Sequence, residues 1–297
     1  MRQCVLHSKE VITMQTVGII GAGKVGVSFG ISLFSKGPLR IGGYYSKSET
    51  SAAYGAERTG SKTYATPGEL LADNDVVLIA TPDDAIETTW RQLLQLNIHD
   101  KIVCHTAGSL SSSLFFDRTT KDVYAASLHP MLAISSKEDG YKSLDGAFFT
   151  LEGDPKAVDI LKNVLDYHRH RYKIISGDKA PYHLATSLIS NSVIALGKEA
   201  VDLMIDIGFE EEEAREALAP LAKKNLAAFL EKGAANALTG PVERGDTATV
   251  ARHLDAMNEN KKQRALYVAA ANILVDIATE KHPDRNYDHM IRLLEGE

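Results

Sequence analysis

The sequence predicts an α/β protein in which a domain built on a parallel sheet is followed by an all-α C-terminal domain. Residues 17–26, VGIIGAGKVG, place a short apolar run directly before three glycines with GxGxxG spacing. Later apolar runs are continuous rather than alternating, which is typical of strands buried on both faces of a parallel sheet. Beyond residue 176, apolar residues recur every three or four positions, which indicates helices. Strand, glycine turn and helix in this order predict a Rossmann-type first domain.

The elements of the first domain are predicted from these runs and from the residues that bound them. A helix over residues 27–35 ends before a Gly-Pro pair, and the second strand covers residues 39–45. Asp154, followed by proline, is typical of the N-cap of a helix, which we expect to extend to Leu165. The other predicted strands are residues 76–80, 102–104, 123–128, 147–151 and 172–175.

The second domain is predicted to consist of helices separated by glycines. Apolar positions from Leu218 to Leu230 repeat at three and four, and Gly233 follows where a helix ends. Residues 247–282 contain neither glycine nor proline, so they form either one very long helix or two with a break near Asn258. The predicted organisation is a frayed N-terminal extension at 1–14, a Rossmann domain at 15–176 and a helical domain at 177–297.

The glycine turn has the spacing that binds a dinucleotide pyrophosphate. Gly21 allows a sharp turn, Gly23 leaves room for the phosphates, and Gly26 lets the next helix pack closely on its strand. The start of that helix offers unpaired N–H groups to the anion. We therefore predict a cofactor site, rather than a purely structural turn, at Gly21, Ala22, Gly23, Lys24, Val25 and Gly26.

The residues after the second strand indicate which dinucleotide binds. NAD sites place an acidic residue here to accept a hydrogen bond from the ribose 2′-hydroxyl. This chain instead has Ser46, Lys47 and Ser48, and its first acid is Glu49. Hydroxyl donors beside an ammonium suit a 2′-phosphate. We predict NADP(H) as the cofactor, with a solvated loop at these three residues as the alternative.

Residues directly after the other strands are further candidates, because ligands of open parallel sheets bind beyond the carboxyl ends of the strands. The proline at 82 also suits the first turn of a helix, so the residues before it can serve as an N-cap as well. For each histidine, a hydrogen-bonded loop residue is the alternative to a binding role. These candidates are Ala80, Thr81, Pro82, His105 and Thr106 for the cofactor, and His129 for the substrate.

The composition disfavours several other classes of protein. A formal net charge of −6 and a pI near 5.9 argue against nucleic acid or an anionic membrane surface as the main partner. With no recognisable signal or membrane segment and two distant cysteines, a cytoplasmic protein is expected. Cys104 and His105 point to opposite faces of a strand and cannot act as a nucleophile–base pair. His168 and His170 lack companions for zinc, so no metal is expected.

Several segments together resemble one family. They are VGIIGAGKVG, YYSKS, VVLIATPDDAI, VCHTAGSL, SLHPM, YHLATSLISN at 182–191 and ALTGPVERGD at 237–246. From Met14 onward, the chain resembles bacterial proteins that join a Rossmann-like domain to a DUF2520 domain, which are relatives of pyrroline-5-carboxylate reductase, the 3-hydroxyacid dehydrogenases and F420-dependent NADP oxidoreductases. The resemblance implies an NAD(P)-dependent oxidoreductase, and the helical domains of such relatives commonly form dimers.

Similarity to the 3-hydroxyacid dehydrogenases singles out the first helix of the C-terminal domain. In that family a catalytic lysine precedes an asparagine by four residues; here Asn191 matches the asparagine, but Ser187 occupies the lysine position. His183 lies one turn earlier on nearly the same helix face. These three residues are expected either to form a polar stripe facing a cleft or to pair structurally with the Rossmann domain. Lys179, at the start of the helix, is expected to be a solvated interdomain residue.

These observations predict an NADPH-dependent, homodimeric reductase that transfers hydride to a small carbonyl or imine compound. His129, His183 and Asn191 are expected to contact the acceptor, with a histidine as the proton donor. Arg244 is expected to pair with Asp246 or with a group of another subunit or, alternatively, to clamp a substrate carboxylate. The alternative function is a non-catalytic NADP-binding sensor or interaction protein.

Overall fold

The computed structural model describes residues 15–96, 98–257 and 259–296, so the predicted extension at 1–14 lies outside the described residues. The chain divides into two compact units between Leu188 and Ile189. This division falls later than the expected boundary at residue 176. The reason is that the helix beginning at Ala180 starts on the sheet unit, where Lys179 and Tyr182 are hydrogen-bonded to sheet residues.

The first unit contains an eight-stranded sheet with the strand order β3-β2-β1-β4-β5-β6-β7-β8. All neighbouring strands are parallel except β6 and β7, which are antiparallel. The strands are β1 Gln15–Ile20, β2 Leu39–Tyr45, β3 Lys62–Thr63, β4 Val76–Ile79, β5 Ile102–His105, β6 Tyr124–Pro130, β7 Phe148–Gly153 and β8 Arg171–Ile174.

Helices connect these strands and cover the sheet. Helix α1 is continued by a π-helical segment at Gly30–Phe34, and two 3₁₀ segments lie at Ser112–Leu114 and Arg118–Lys121. The α-helices of this unit are α1 Lys24–Phe29, α2 Glu49–Thr59, α3 Pro67–Asp73, α4 Asp83–Gln95, α5 Gly140–Ser143, α6 Pro155–Tyr167 and α7 Ala180–Ser187.

The predicted strands are all present, and the second one has the predicted bounds. The prediction of a parallel sheet is wrong for β7, which runs antiparallel to β6. Between these two strands, the only α-helix is the four-residue α5, whereas a parallel connection needs a crossover of a dozen or more residues that is usually helical. Asp154 begins α6 as predicted, but its carboxylate pairs with Arg118 and accepts from the Ala125 N–H instead of capping the helix.

The central strands are buried on both faces, as their continuous apolar runs predict. Every residue of β4 and β5 is buried. On one face the core includes Phe29 and Leu78, and on the other it includes Trp90, whose ring packs edge-on against Phe115 at a centroid distance of 5.3 Å. This packing fixes the positions of the strand ends, where the candidate site lies.

The second unit is helical. A π-helical segment, Leu188–Ser192, spans the division between the units. Helix α9 ends at Gly233 and the Asp246 carboxylate caps α12, both as predicted. The stretch from 247 forms two helices, and Asn258, near which a break was expected, lies outside the described residues. The helices are α8 Val193–Asp206, α9 Glu211–Lys232, α10 Ala234–Ala237, α11 Pro241–Arg244, α12 Thr247–Ala256, α13 Lys261–Lys281 and α14 Asp288–Glu295.

None of the helices in the described part of the chain has the length and apolar character needed to cross a membrane.

Candidate active site

The glycine turn joins β1 to α1 through a close approach of backbone to backbone. Gly21 has φ +105°, which favours glycine, and its N–H donates to the Tyr45 carbonyl at 2.8 Å. A Cβ on Gly26 would collide with the Gly21 carbonyl and lie 3.3 Å from the Ala80 Cβ. Gly23 has an ordinary φ of −80°, but nothing lies within 4 Å of the position that its Cβ would take. The turn therefore leaves open space beside the first N–H groups of α1, as a diphosphate requires.

A cleft of about 360 Å³ extends from this turn along the ends of β1, β2 and β4. The Thr81 hydroxyl is buried and has no hydrogen-bond partner among the described residues. It does not cap α4, whose N-cap is Pro82, so it is available to a ribose hydroxyl. The predicted cofactor residues that line the cleft are Gly21, Ala22, Gly23, Ser46, Lys47, Ala80, Thr81 and Pro82.

The other predicted cofactor residues have different surroundings. Lys24, Val25 and Gly26 form the first turn of α1. Ser48 does not line the cleft, because its hydroxyl caps α2 by accepting from the Ser51 N–H at 3.2 Å. Lys47, in contrast, is exposed at the rim of the cleft and forms no ion pair with the residues that the structure describes.

Polar side chains form a row across three strands at the level where β5 ends. His105, the last residue of β5, is in register with Ser127 of β6, and Ser127 is in register with Glu152 of β7. Two residues further along β6, His129 is in register with Thr150. Because side chains alternate along a strand, these five point to the same face of the sheet. Polar groups thus converge at one edge of an otherwise apolar core.

His129 occupies the outer position in this arrangement. Its Nδ1 lies 2.6 Å from the Tyr182 hydroxyl, and a Cβ on Gly108 would come within 2.8 Å of its Nε2. Burial, followed by the charges of Lys179 and His183, lowers the pKa of His129 to about 4. The ring is therefore neutral near pH 7. When the Tyr182 hydroxyl donates to Nδ1, the ring proton is on Nε2, on the side of Gly108.

His105 lies deeper than its predicted role near the nicotinamide requires. It is fully buried, its Nδ1 accepts a hydrogen bond from the Ala107 N–H at 3.2 Å, and its ring packs against Phe115. Burial is also the main reason that its pKa is lowered to about 3. Its side chain therefore supports the loop that follows β5, and Thr106 is buried in the same loop.

Lys179 contradicts the expectation of a solvated residue. It is only 2% exposed, and its Nζ donates to the Ser127 Oγ at 2.7 Å and to the Ala107 carbonyl at 3.0 Å. Burial lowers its pKa to about 8, while Glu152 and Asp83 act in the opposite direction. Sequence reasoning missed this residue because its partners lie 52 and 72 positions away. Its place soon after the last strand is the one signal that the sequence offers.

The other predicted substrate residues separate into two groups. His183 is exposed on α7, close enough to His129 to influence its pKa. Asn191 is exposed and lies in the other unit, beyond the start of the π-helical segment. Because His183 and Ser187 lie in the first unit and Asn191 in the second, the expected stripe of these three residues stays a prediction.

Two further candidates are accounted for by local contacts. Arg244 lies 4.0 Å from Asp246, in the predicted pair, and both side chains remain partly exposed. His168 Nε2 lies 3.0 Å from the Leu33 carbonyl and 3.1 Å from that of Lys36. Among the described residues, no group of three or more potential ligands is placed to hold a metal ion.

Two family models match the chain. Residues 16–108 match the model described as NADP oxidoreductase, coenzyme F420-dependent, and residues 147–273 match the domain of unknown function DUF2520. Together the two matches cover most of the sheet unit and most of the helical unit. This confirms the resemblance inferred from the sequence motifs and the prediction of NADP(H) as cofactor, and it makes the protein an NAD(P)-dependent oxidoreductase. No curated protein matches the chain.

Solved structures support the fold over nearly the whole chain. Protein TM1727 from Thermotoga maritima has 27% sequence identity and a TM-score of 0.73, and the match covers 89% of this chain and 99% of that one. An imine reductase from Pseudomonas sp. has 14% identity and a TM-score of 0.56, with coverage of 95% and 92%. The pyrroline carboxylate reductase of Plasmodium falciparum with NADP bound has 11% identity and a TM-score of 0.53, with coverage of 89% and 98%.

The exposed ammonium at the rim of the cleft leads to a prediction about cofactor choice. Replacing Lys47 by glutamate should weaken NADPH binding about 30-fold or more, because a charge-assisted contact to the 2′-phosphate, worth about 2 kcal/mol, becomes a repulsion. NADH binding should change little. Fluorescence titration with both cofactors measures the effect, and Lys173→Glu, on the exposed side of β8, is the charge-matched control. An equal loss for both cofactors would contradict a 2′-phosphate contact.

Proposed function

We propose that this oxidoreductase is an NADPH-dependent reductase of a small carbonyl or imine compound, which binds beyond the ends of β5 and β6. The observation that supports the proposal is the His129 arrangement: a neutral imidazole, fixed by Tyr182, at the edge of the sheet that the cofactor cleft also borders. Hydride transfer needs an acceptor held close to the nicotinamide and a donor directed at the atom that gains charge.

Each group of residues has a separate role in this proposal. The glycine turn holds the diphosphate, Thr81 contacts a ribose, and Lys47 with Ser46 holds the 2′-phosphate. NADPH, when bound, supplies the hydride. Tyr182 fixes the tautomer and orientation of His129, so that the Nε2–H donates to the oxygen or nitrogen of the acceptor. Loop residues 106–108, which include Gly108 beside the His129 ring, lie next to the position assigned to the acceptor. The overall reaction takes one proton and yields NADP⁺ with an alcohol or an amine.

We further propose that the protein acts as a homodimer in the cytoplasm. Helices α8 and α9 border an apolar groove, and large side chains beside it are strongly exposed, including Ile194 at 72% and Leu230 at 70%. Apolar surface of this extent is typical of an interface, and a second copy of the helical unit is the partner that we assign to it. The low cysteine content, with Cys104 buried as a free thiol, supports a reducing compartment.

The reductase proposal predicts turnover that depends on Tyr182 and His129. We expect NADPH oxidation with at least one member of a panel of 2-oxo acids, aldehydes, ketones and cyclic imines, followed by absorbance. His129→Ala should lower kcat about 100-fold, as the loss of a donor to developing charge does elsewhere. Tyr182→Phe should also lower kcat, because His129 loses the group that orients it, and NADPH affinity should be unchanged in both variants. Tyr167→Phe, at an exposed tyrosine, is the control.

Two results would count against this function. Tight NADPH binding without turnover of any compound in the panel favours the sensor or interaction protein instead. Full activity of the Tyr182→Phe and His129→Ala variants would show that His129 takes no part in the reaction.

The dimer proposal predicts a mass near twice the 32.3 kDa of the chain. Light scattering at micromolar concentration measures it. Ile194→Asp should shift the protein toward the monomer, because a buried carboxylate opposes the apolar contact. Ile174→Asp, at an exposed isoleucine of β8 in the sheet unit, is the matched control and should leave the mass unchanged. A monomeric wild-type protein would contradict the proposal.

A further inference from the structure

The buried ammonium of Lys179 has only neutral hydrogen-bond partners. These are the Ser127 hydroxyl and the Ala107 carbonyl, and both residues are themselves buried. Lys179 takes part in none of the ion pairs formed within the described part of the chain. A buried charge without a counter-ion opposes folding, so its presence at a strand end indicates a role for the charge itself.

The two nearest carboxylates are engaged elsewhere. Glu152 accepts hydrogen bonds from the Ser112 N–H and from the Ser111 and Ser112 hydroxyls, at 2.8 to 3.2 Å. Asp83 accepts a hydrogen bond from the Ser109 hydroxyl at 2.9 Å. Both carboxylates therefore fix the loop after β5, and neither neutralises Lys179 by direct contact.

The charge lies where the acceptor must bind. Ser127 is in register with His105, the last residue of β5. It precedes His129 by two residues on β6, so the two side chains lie on the same face of the sheet. Ala107 belongs to the loop that follows β5. Burial first, and the charge of Lys179 second, lower the pKa of both His105 and His129, so the field of the ammonium reaches both strand ends. Since both imidazoles are neutral at pH 7, Lys179 is the cation among these groups.

A carbonyl and an imine respond to such a cation in opposite ways. Hydride addition to a neutral carbonyl carbon moves the π electrons to oxygen, and the resulting alkoxide then takes a proton to become an alcohol. An imine accepts hydride as the protonated iminium, which enters as a cation and becomes a neutral amine. A nearby positive charge stabilises the alkoxide and repels the iminium.

We propose that Lys179 makes this site selective for neutral carbonyl compounds, that is ketones, aldehydes or 2-oxo acids, over imines. This inference rests on the proposed function, since it specifies the acceptor of the same site. Lys179 acts through its charge at a short distance and not by contact with the acceptor, which makes it a specificity-determining residue.

Small charged probes test the inference without any need for turnover. Calorimetry of the NADP⁺-loaded protein at pH 7 compares acetate, which mimics the oxyanion, with pyrrolidinium, which mimics the cationic iminium. We expect wild-type protein to bind acetate about 10-fold or more tightly than pyrrolidinium. Lys179→Met should abolish or reverse this preference, and Lys179→Arg should keep it, because arginine restores the cation.

The pH dependence separates charge from a structural role. As the pH rises through the value of about 8 at which Lys179 loses its proton, the preference for acetate should disappear in wild-type protein. In Lys179→Arg it should persist to higher pH, since the guanidinium stays charged. The other titratable groups around Lys179 are His105, His129, Glu152, Asp83, Tyr182 and His183. They are common to both proteins, so their titration cancels in this comparison.

Folding controls separate a loss of charge from a loss of structure in the Lys179 variants. NADP⁺ affinity and thermal unfolding of each variant show whether the fold is kept, and Lys173→Met is the control at an exposed lysine. If wild-type protein binds pyrrolidinium at least as tightly as acetate, or if Lys179→Arg loses the preference at the same pH as wild type, the inference is overturned. If no compound of the panel is turned over, the proposed reductase function is contradicted, even if the protein prefers acetate to pyrrolidinium.

Discussion

The close packing of helix α1 against the end of strand β1 is the constraint on which the rest of the site depends. The Gly26 position has no room for a Cβ beside the Gly21 carbonyl, so the start of the helix lies directly above the strand end. The same approach brings Ala80, at the end of β4, against the turn. With the parallel register of β1, β4, β5 and β6, this places the glycine turn and the residues proposed to bind the acceptor at the same edge of the sheet.

At the glycine turn, the candidate site consists of backbone groups. At the ends of β5 and β6, it consists of side chains, and their charge states matter. His105 and His129 are kept neutral by burial, whereas Lys179 is held as a cation by two neutral acceptors. A neutral donor and one nearby cation suit an acceptor that becomes negative during reaction. The imine reductase and pyrroline carboxylate reductase among the similar structures share the fold at 14% and 11% identity, and a fold at that distance does not transfer chemistry.

Much of the fold is predictable from sequence because it depends on local patterns. Continuous apolar runs predict β4 and β5, and the GxGxxG spacing predicts the turn, since each pattern reports burial or a backbone approach within a few residues. The antiparallel direction of β7 was not predictable in this way, because it depends on what connects it to β6. The surroundings of Thr81 were partly predictable: its position after β4 was recognised, but the choice of Pro82 as the helix N-cap was not. This choice leaves the Thr81 hydroxyl without a partner among the described residues.

The candidate site residues also differ in whether local sequence or distant contacts determine their surroundings. His129 was predicted from its place after a strand, and the structure adds Tyr182, whose hydroxyl is hydrogen-bonded to its Nδ1. Lys179 could not be recognised, because its burial arises from contacts with residues far away in sequence. The stripe of His183, Ser187 and Asn191 stays a prediction, because the division between the two units falls within it, at a π-helical segment.

We expect the diphosphate of NADPH to occupy the open space at Gly23. Calorimetric titration of wild-type protein and of Gly23→Ala with NADPH measures this contact. Because nothing lies within 4 Å of the added Cβ, the variant should keep the wild-type unfolding temperature. NADPH should bind wild-type protein with micromolar or tighter affinity, and the variant should lose at least a factor of ten. Absence of binding heat in wild type, or equal affinity in both proteins, would contradict it.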